Sequence, residues 1–374
     1  MIRAVLVDDE PPARVRMRQL LEAAGDVTVV GEAGSAVEAR DLIRDTRPDL
    51  LFLDVEMPEV RGTALAASLP EPRPFIVFAT AFDHYGLDAI AVEATDYLLK
   101  PVSRAKLATT LERVRSRLTK LAVDQDIVAA SHVQSHMWPG SLPPIPGFDC
   151  AAASLAARGV GGDFYDLFCL GHVGPGGPTA TSSSKWALLL GDASGKGVAA
   201  GLVGSAVQAR VNAAARHAHL DPEALMSAVD RDVYATTDGA RYATAIYGVL
   251  DAQASKLTLV NAGHPAPLVM SKPGQVRTLT ASGPALGLLE AGDFGSHSVK
   301  LSPGNLFVAY TDGVSEARND ADDEFGEARL IEMIEAVRNE SAATICSTIL
   351  DMIRTYRGSR QDQDDVTVLV VKAS

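Results

Sequence analysis

The sequence predicts two folded bodies, a doubly wound α/β sheet of five parallel strands followed by a larger α+β body. Three observations carry this. Over the first 120 residues, short apolar runs alternate with helical patterns. Beyond residue 147, strand-like and helical segments come in blocks. Between the two, Pro139, Pro143, Pro144 and Pro146 interrupt a helical stretch and mark a boundary. A chain of 374 residues has the length for two or three domains with real cores.

In the first body the strands are expected at Ile2–Val7, Val27–Val30, Leu50–Leu53, Phe75–Ala79 and Tyr97–Leu99. Each is short, apolar and bounded by Gly, Pro or Asp, as strands buried on both faces are. Helical patterns lie near Ala13–Ala24, Val37–Asp45, Ala64–Leu69, Tyr85–Val92 and Arg104–Leu118. From Leu107 the apolar residues recur at Leu111, Val114, Leu118 and Leu121, a 4-3-4-3 spacing. Leu107, Leu111 and Val114 suit packing on their own sheet. Leu118, Leu121 and Val128 lie beyond what the sheet needs, so the helix is expected to run into a linker, residues 121–146, that can serve as a dimer contact. In the second body, strands are expected at Trp186–Leu190, Ala243–Leu250, Lys256–Val260, Leu306–Tyr310 and Val366–Val371. Helices are expected at Val198–His217, Pro222–Thr236, Arg329–Arg338 and Ala342–Tyr356. Gly171–Ser184, rich in Gly, Pro, Ser and Thr, reads as a surface loop. The domains expected are therefore 1–120, the linker 121–146 and 147–374.

Formal charge is −13, with 16 basic against 19 acidic side chains in residues 1–120 and 18 against 28 in residues 121–374. Both bodies are acidic, which argues against nucleic acid and against an anionic membrane surface as partners. Three widely spaced cysteines, Cys150, Cys169 and Cys346, read as free thiols in a reducing compartment. With no signal-like start and no apolar run near 18 residues, a cytoplasmic location is expected.

Four of the five early strands end in a chemically useful residue: Asp8 and Asp9, Asp54, Thr80 and Lys100. A parallel sheet gathers these ends at one edge. Three carboxylates that close repel one another unless a cation sits among them, and a hard Mg²⁺ suits oxygen ligands. Asp54 is then a candidate phosphoryl acceptor, with Lys100 and Thr80 to meet the anion. Lys100-Pro101 suggests a constrained peptide bond, with cis as one form.

Residues 1–120 resemble a response-regulator receiver domain, which is flavodoxin-like. The resemblance lies in Val7-Asp8-Asp9-Glu10, Leu53-Asp54-Val55-Glu56-Met57-Pro58, Ala79-Thr80-Ala81 and Asp96-Tyr97-Leu98-Leu99-Lys100-Pro101. It implies that Asp8, Asp9 and Asp54 hold Mg²⁺, and that Asp54 receives a phosphoryl group from a sensor histidine kinase. It also implies that Thr80 and Tyr97 form a switch pair. Arg61-Gly62 departs from the acidic or amide residue common before that Gly, without touching an inferred ligand.

The second body repeats one theme, an Asp in a tight turn beside Gly and next to an apolar run. It occurs at Gly161-Gly162-Asp163, Gly191-Asp192-Ala193, Thr311-Asp312-Gly313 and Asp364-Asp365-Val366. Any one of these is an ordinary turn; four together suggest oxygen ligands for Mg²⁺ or Mn²⁺. A P-loop is excluded, because three residues rather than four separate Gly191 from Gly195, and Gly197 follows Lys196. His264 has no second His at ligand spacing and reads as a turn residue.

Residues 130–374 resemble a metal-dependent PPM-type serine/threonine phosphatase of the SpoIIE-like branch. The resemblance lies in Gly161-Gly162-Asp163-Phe164-Tyr165-Asp166, Gly191-Asp192-Ala193-Ser194-Gly195-Lys196-Gly197 and Asn261-Ala262-Gly263-His264-Pro265. It continues in Leu286-Gly287-Leu288, Tyr310-Thr311-Asp312-Gly313-Val314-Ser315-Glu316-Ala317-Arg318 and Gln363-Asp364-Asp365-Val366-Thr367. It implies two sheets between helical layers. It also implies two Mn²⁺ or Mg²⁺ held by Asp163, Asp192 with the Ala193 carbonyl, Asp312, and Asp364 or Asp365, the first of that pair favoured. Phosphoserine and phosphothreonine esters would be hydrolysed without a covalent intermediate. The family's phosphate-positioning arginine has no clear counterpart, Arg158 being a weak candidate. The expected protein is a homodimeric response regulator with a phosphatase output, acting on a phosphorylated STAS-type anti-sigma-factor antagonist. The alternative is a non-catalytic adaptor that binds or sequesters a sigma-factor regulator.

Overall fold

The computed structural model describes residues 1–81, 94–155, 159–171, 173–174, 177–178, 184–217, 221–237, 239–360 and 364–374. The helix expected at Tyr85–Val92 and Arg158 lie outside them. The chain divides into two compact units, Met1–Gln125 and Asp126–Ser374.

The first unit holds strands β1 (Ile2–Val7), β2 (Val27–Ala33), β3 (Leu50–Leu53), β4 (Phe75–Thr80) and β5 (Asp96–Leu99), with helices α1 (Pro11–Glu22), α2 (Ala36–Thr46) and α3 (Gly62–Ser68). The sheet is parallel in the order β2-β1-β3-β4-β5. Alternate strand residues serve opposite faces, as strand periodicity requires. Ala4, Leu6, Phe52, Val77 and Leu98 pack with Met17, Leu20, Leu107, Leu111 and Val114. Val5, Val7, Leu51, Leu53 and Phe78 pack with Ala39, Ile43 and Leu65. Helix starts follow local chemistry: Pro11 opens α1, and the Ser35 hydroxyl accepts a hydrogen bond from the Glu38 N–H ahead of α2.

Helix α4 runs without interruption from Arg104 to Met137. Leu118, expected to lie beyond the sheet, packs against the first unit's core, because one further helical turn still overlies it. Leu121 and Val128 stay exposed, at 49% and 68%.

The second unit is built from two antiparallel five-stranded sheets, β15-β12-β11-β10-β7 and β14-β13-β16-β17-β6. Its strands are β6 (Phe148–Leu155), β7 (Asp163–Cys169), the short pair β8 (Val173–Gly174) and β9 (Gly177–Pro178), and β10 (Lys185–Ala193). They continue as β11 (Ala243–Asp251), β12 (Lys256–Ala262), β13 (Leu268–Met270), β14 (Val276–Thr278), β15 (His297–Lys300), β16 (Leu306–Tyr310) and β17 (Val366–Ala373). Its helices are α5 (Val198–His217), α6 (Pro222–Thr237), α7 (Asp312–Ser315), α8 (Glu327–Val337) and α9 (Ala342–Arg357). Of the loop expected at Gly171–Ser184, the described part includes β8 and β9; residues 172, 175–176 and 179–183 lie outside the description.

Three apolar layers hold this unit together. Trp186, Leu188, Leu190, Ile246, Phe307 and Leu369 fill the space between the sheets. Phe164, Leu189 and Tyr247 meet Val207, Leu225 and Val229 of α5 and α6. Val308, Tyr310 and Val368 meet Leu330, Ile345 and Ile349 of α8 and α9. The architecture is helix, sheet, sheet, helix, as the resemblance implies. Among the described residues, no helix is long and apolar enough to cross a membrane.

Candidate functional site

At the carboxyl edge of the parallel sheet, Asp8 and Asp9 leave β1, Asp54 leaves β3, Thr80 ends β4 and Lys100 leaves β5. Carboxylate oxygens of Asp8, Asp9 and Asp54 lie within 4.8 Å of one another. Asp8 and Asp54 are buried and Asp9 is exposed. Lys100 Nζ is 2.6 Å from both Asp8 Oδ2 and Asp54 Oδ2, and the Lys100–Pro101 bond is cis. Burial raises the Asp54 carboxyl above the usual carboxylate range, against the pull of Lys100. Burial works against the Lys100 ammonium, but Asp54 and Asp8 together outweigh it and hold Lys100 high. Thr80 is fully buried and Tyr97 half-buried. Arg61 lies 3.8 Å from Glu56 on an exposed edge. The three oxygen donors around one point, with one carboxylate open to water, fit a hard divalent ion.

The second cluster forms where β7 and β10 pair, placing Asp163 directly opposite Asp192. Asp163 is 2% exposed, and its Oδ2 accepts hydrogen bonds from the Thr311 and Thr367 hydroxyls at 2.9 and 2.6 Å. The Thr367 N–H donates to Thr311 Oγ1 at 2.9 Å, so β16 and β17 jointly fix that carboxylate. Asp365 Oδ2 accepts from the Gly162 N–H at 2.9 Å. Asp364 is 48% exposed at its side chain and lies 3.3 Å from Lys196 Nζ. Close approach explains the glycines. A Cβ on Gly162 would stand 2.6 Å from Asp192 Oδ1, and one on Gly313 would stand 1.8 Å from the Asp365 carbonyl oxygen.

Electrostatics tie these carboxylates into one group. Burial, then Asp192, raises Asp163 well above the usual range, although both threonines oppose it. Burial, then Asp312, Asp364 and Asp365, pushes Asp192 up to about 8. Burial, then Asp364 and Glu316, raises Asp312. Buried carboxylates that disfavour one another's charge are relieved by divalent cations, and an all-oxygen donor set suits Mg²⁺ or Mn²⁺. Among the described residues, only the Asp8, Asp9, Asp54 trio crowds three carboxylates within 4.8 Å.

His264 is buried, with Nδ1 2.8 Å from Thr244 Oγ1; burial lowers it to about 3, so it stays a neutral turn residue. Several supporting residues carry no sequence signature. Gln134 on α4 is buried, donates through Nε2 to the Gly161 carbonyl at 2.7 Å and accepts from the Gly161 N–H at 3.1 Å. Ser131 donates to the Gly159 carbonyl at 2.7 Å. From α5, Gln208 donates to the carbonyls of Met137 and Tyr165 at 3.1 and 3.2 Å. A Cβ on Gly204 of α5 would stand 2.7 Å from the Gly162 carbonyl oxygen, so this helix rests on the backbone that delivers Asp163.

A family model described as Stage II sporulation protein E (SpoIIE) matches residues 182–374, and one described as response regulator receiver domain matches residues 4–112. The transcriptional regulatory protein BtsR of Salmonella typhi is 47% identical over 121 residues, covering 32% of this chain and 51% of that protein. An uncharacterized response regulatory protein of Vibrio parahaemolyticus is 38% identical over 147 residues, covering 39% and 58%. The chain thus spans about half the length of the curated relatives it matches. Among solved structures, the SiaA-PP2C domain of Pseudomonas aeruginosa superposes with a TM-score of 0.57 at 20% identity, covering 68% of this chain and 99% of that one. The RsbU and RsbW domains of Rv1364c from Mycobacterium tuberculosis give 0.53 at 26% identity, covering 63% of each chain. A receiver domain therefore precedes a body with the PP2C phosphatase fold, and with the larger match spanning more than half its length, the chain belongs to the SpoIIE family.

Proposed function

We propose that this protein is a two-component response regulator whose output is a metal-dependent protein serine/threonine phosphatase, gated by phosphorylation of Asp54. The observation that carries the reading is the convergence of carboxylates from four separate segments, Asp163 opposite Asp192 across β7 and β10, and Asp312 with Asp364 lining one recess, where like charges raise Asp163, Asp192 and Asp312. Asp163, Asp192, the Ala193 carbonyl, Asp312 and Asp364 hold two Mn²⁺ or Mg²⁺ ions. Asp365 serves instead as a strut, its Oδ2 taken by the Gly162 N–H. Bound there, the ions supply an activated water and charge stabilisation for in-line phosphoryl transfer. The chain's own part is to orient: Thr311 and Thr367 fix the Asp163 carboxylate, and Lys196 offers an ammonium at the rim beside Asp364. The substrate is a phosphoserine or phosphothreonine on a STAS-type anti-sigma-factor antagonist, a reading that rests on the family resemblance.

In the receiver, Asp8, Asp9 and Asp54 hold Mg²⁺. The Asp54 carboxylate attacks the phosphorus of a kinase phosphohistidine, the imidazole departs, and Lys100 offsets the charge that arrives. Thr80 and Tyr97 answer the new anion. Helix α4 carries the change to Gln134, which is bonded on both sides of Gly161, two residues from Asp163. The exposed Leu121 and Val128 support a dimer along the same helix.

Incubation with Mn²⁺ and a phosphoserine-bearing antagonist tests the output, against an Asp163→Ala control. Phosphate release by the native chain alone supports it; equal or absent release in both rejects it and favours the adaptor. An adaptor would have no need of the carboxylate set, and that set is present.

A further inference from the structure

We propose that Arg357 is a positioning residue of the phosphatase metal centre, its guanidinium spanning the two loops that present Asp312 and Asp364 and holding them at one separation. The inference rests on the phosphatase reading and adds a residue to it. Arg357 is the last residue of α9 and only 8% exposed. Its Nη2 donates to the carbonyl oxygen of Gly313 at 3.1 Å and to that of Asp364 at 2.8 Å. Gly313 directly follows Asp312; Asp364 is itself the other candidate ligand. One nitrogen therefore joins the backbones of both ligand loops.

An arginine at a helix end ordinarily satisfies the last carbonyls of its own helix. These two acceptors belong to other segments, 44 and 7 residues away, and both are ligand-bearing. The anchor behind the guanidinium is rigid, since Ile345, Ile349 and Ile353 of α9 are fully buried in the core beneath. On the other side lies a recess of about 140 Å³, lined by Arg357, Lys196, Asp312 and Asp364 among others. The guanidinium thus stands between a fixed helix and the carboxylates. The two N–H bonds of Nη2 lie in the guanidinium plane and point in fixed directions, which a freely rotating ammonium on a flexible stem does not reproduce. A group behind the ligands that fixes their geometry typically changes metal affinity by about 10–100-fold when removed.

The test is a calorimetric Mn²⁺ titration of the full-length chain carrying Arg357→Gln or Arg357→Lys. An Asp192→Ala chain defines how much binding belongs to the phosphatase centre rather than to the receiver. Arg354→Gln, an exposed position one turn earlier, is the control for helix stability. We expect Arg357→Gln to weaken Mn²⁺ binding at that centre by about 10–100-fold. With p-nitrophenyl phosphate, kcat returns toward the native value at saturating Mn²⁺ and KM does not move. Arg357→Lys keeps the charge without the planar pair of N–H donors on Nη2 and still binds Mn²⁺ more weakly than the native chain. If the Gln variant does not fold, the Lys variant decides. Native Mn²⁺ affinity in either folded variant overturns the proposal, as does a kcat that excess Mn²⁺ leaves low. A native chain that binds no more Mn²⁺ than Asp192→Ala sinks the metal-centre reading itself, a result distinct from the others.

Discussion

At the scale of single residues, the second cluster is governed by proton linkage. Asp192 sits at about 8 in the folded, metal-free protein against 3.8 in the unfolded chain. Between those values the folded state holds a proton that the unfolded state has released, so stability of the metal-free protein falls as pH rises from about 4 to about 8. Raised Asp163, Asp312 and Asp54 act in the same direction. Urea midpoints measured in chelator should drop across this window. Because the ions must displace that proton, Mn²⁺ binding at pH 7 should release protons, read as a calorimetric heat that varies with the buffer's ionisation enthalpy. A heat independent of buffer would contradict the assignment. A second residue-scale prediction concerns Thr367. Replacing it with the near-isosteric Val deletes the 2.6 Å bond to Asp163 and leaves a buried carboxylate one donor short. The cost should be about 1–3 kcal/mol of stability in chelator, measured by denaturant unfolding. Mn²⁺ affinity should also fall about 10-fold, since an outer-shell donor is lost.

At the scale of elements, α5 shows why a stretch crowded with Ala and Gly starts where it does. Gly201 and Gly204 face the Val160–Gly162 backbone so closely that added carbon atoms would lie 2.5 Å from Val160 Cγ1 and 2.7 Å from the Gly162 carbonyl oxygen. Gly204→Ala should therefore push α5 off the Asp163 loop, costing about 1–3 kcal/mol by thermal or urea denaturation and lowering turnover with it. An unchanged midpoint would show the contact to be slack. The same elements show what the sequence made legible. β1, β3 and β16 begin and end where their apolar runs do, because each run is short, buried and bounded by polar residues. β6 escaped notice because Phe148–Leu155 is an alanine run with neither alternation nor β-branched residues, and its place comes from pairing with β17, more than 200 residues away. β7 overlaps the Gly161–Asp166 motif, and the polar Asp163 and Asp166 break its apolar run. The aspartates stood out since each adjoins Gly or a second Asp in a turn. Thr311, Thr367, Gln134 and Arg357 did not, for they act through hydrogen bonds to partners as far as 148, 204, 27 and 44 residues distant, which leave no local spacing to read.

At the scale of the whole molecule, the proposed gating needs a route from Asp54 to Asp163. The covalent path is short: α4 is one helix from Arg104 to Met137, with Leu107, Leu111 and Val114 in the receiver core and Gln134 bonded to Gly161. In the proposed gating, a shift or roll at the start of α4 would be passed along the helix to Gln134, whose two bonds meet the ligand loop at Gly161. Both the oxygen and the nitrogen of this buried amide bond the Gly161 backbone. Gln134→Leu keeps a similar volume and removes both bonds. In that variant Asp54 should still accept a phosphoryl group from a small acyl phosphate, detected as an acid-stable, base-labile label. Turnover of a phosphoserine substrate, however, should no longer change when the donor is added. Asp54→Ala should lose the label and the response together. A Gln134→Leu chain that responds to the donor as the native one does would mean that the signal bypasses this helix end, and the proposed route through Gln134 would fall.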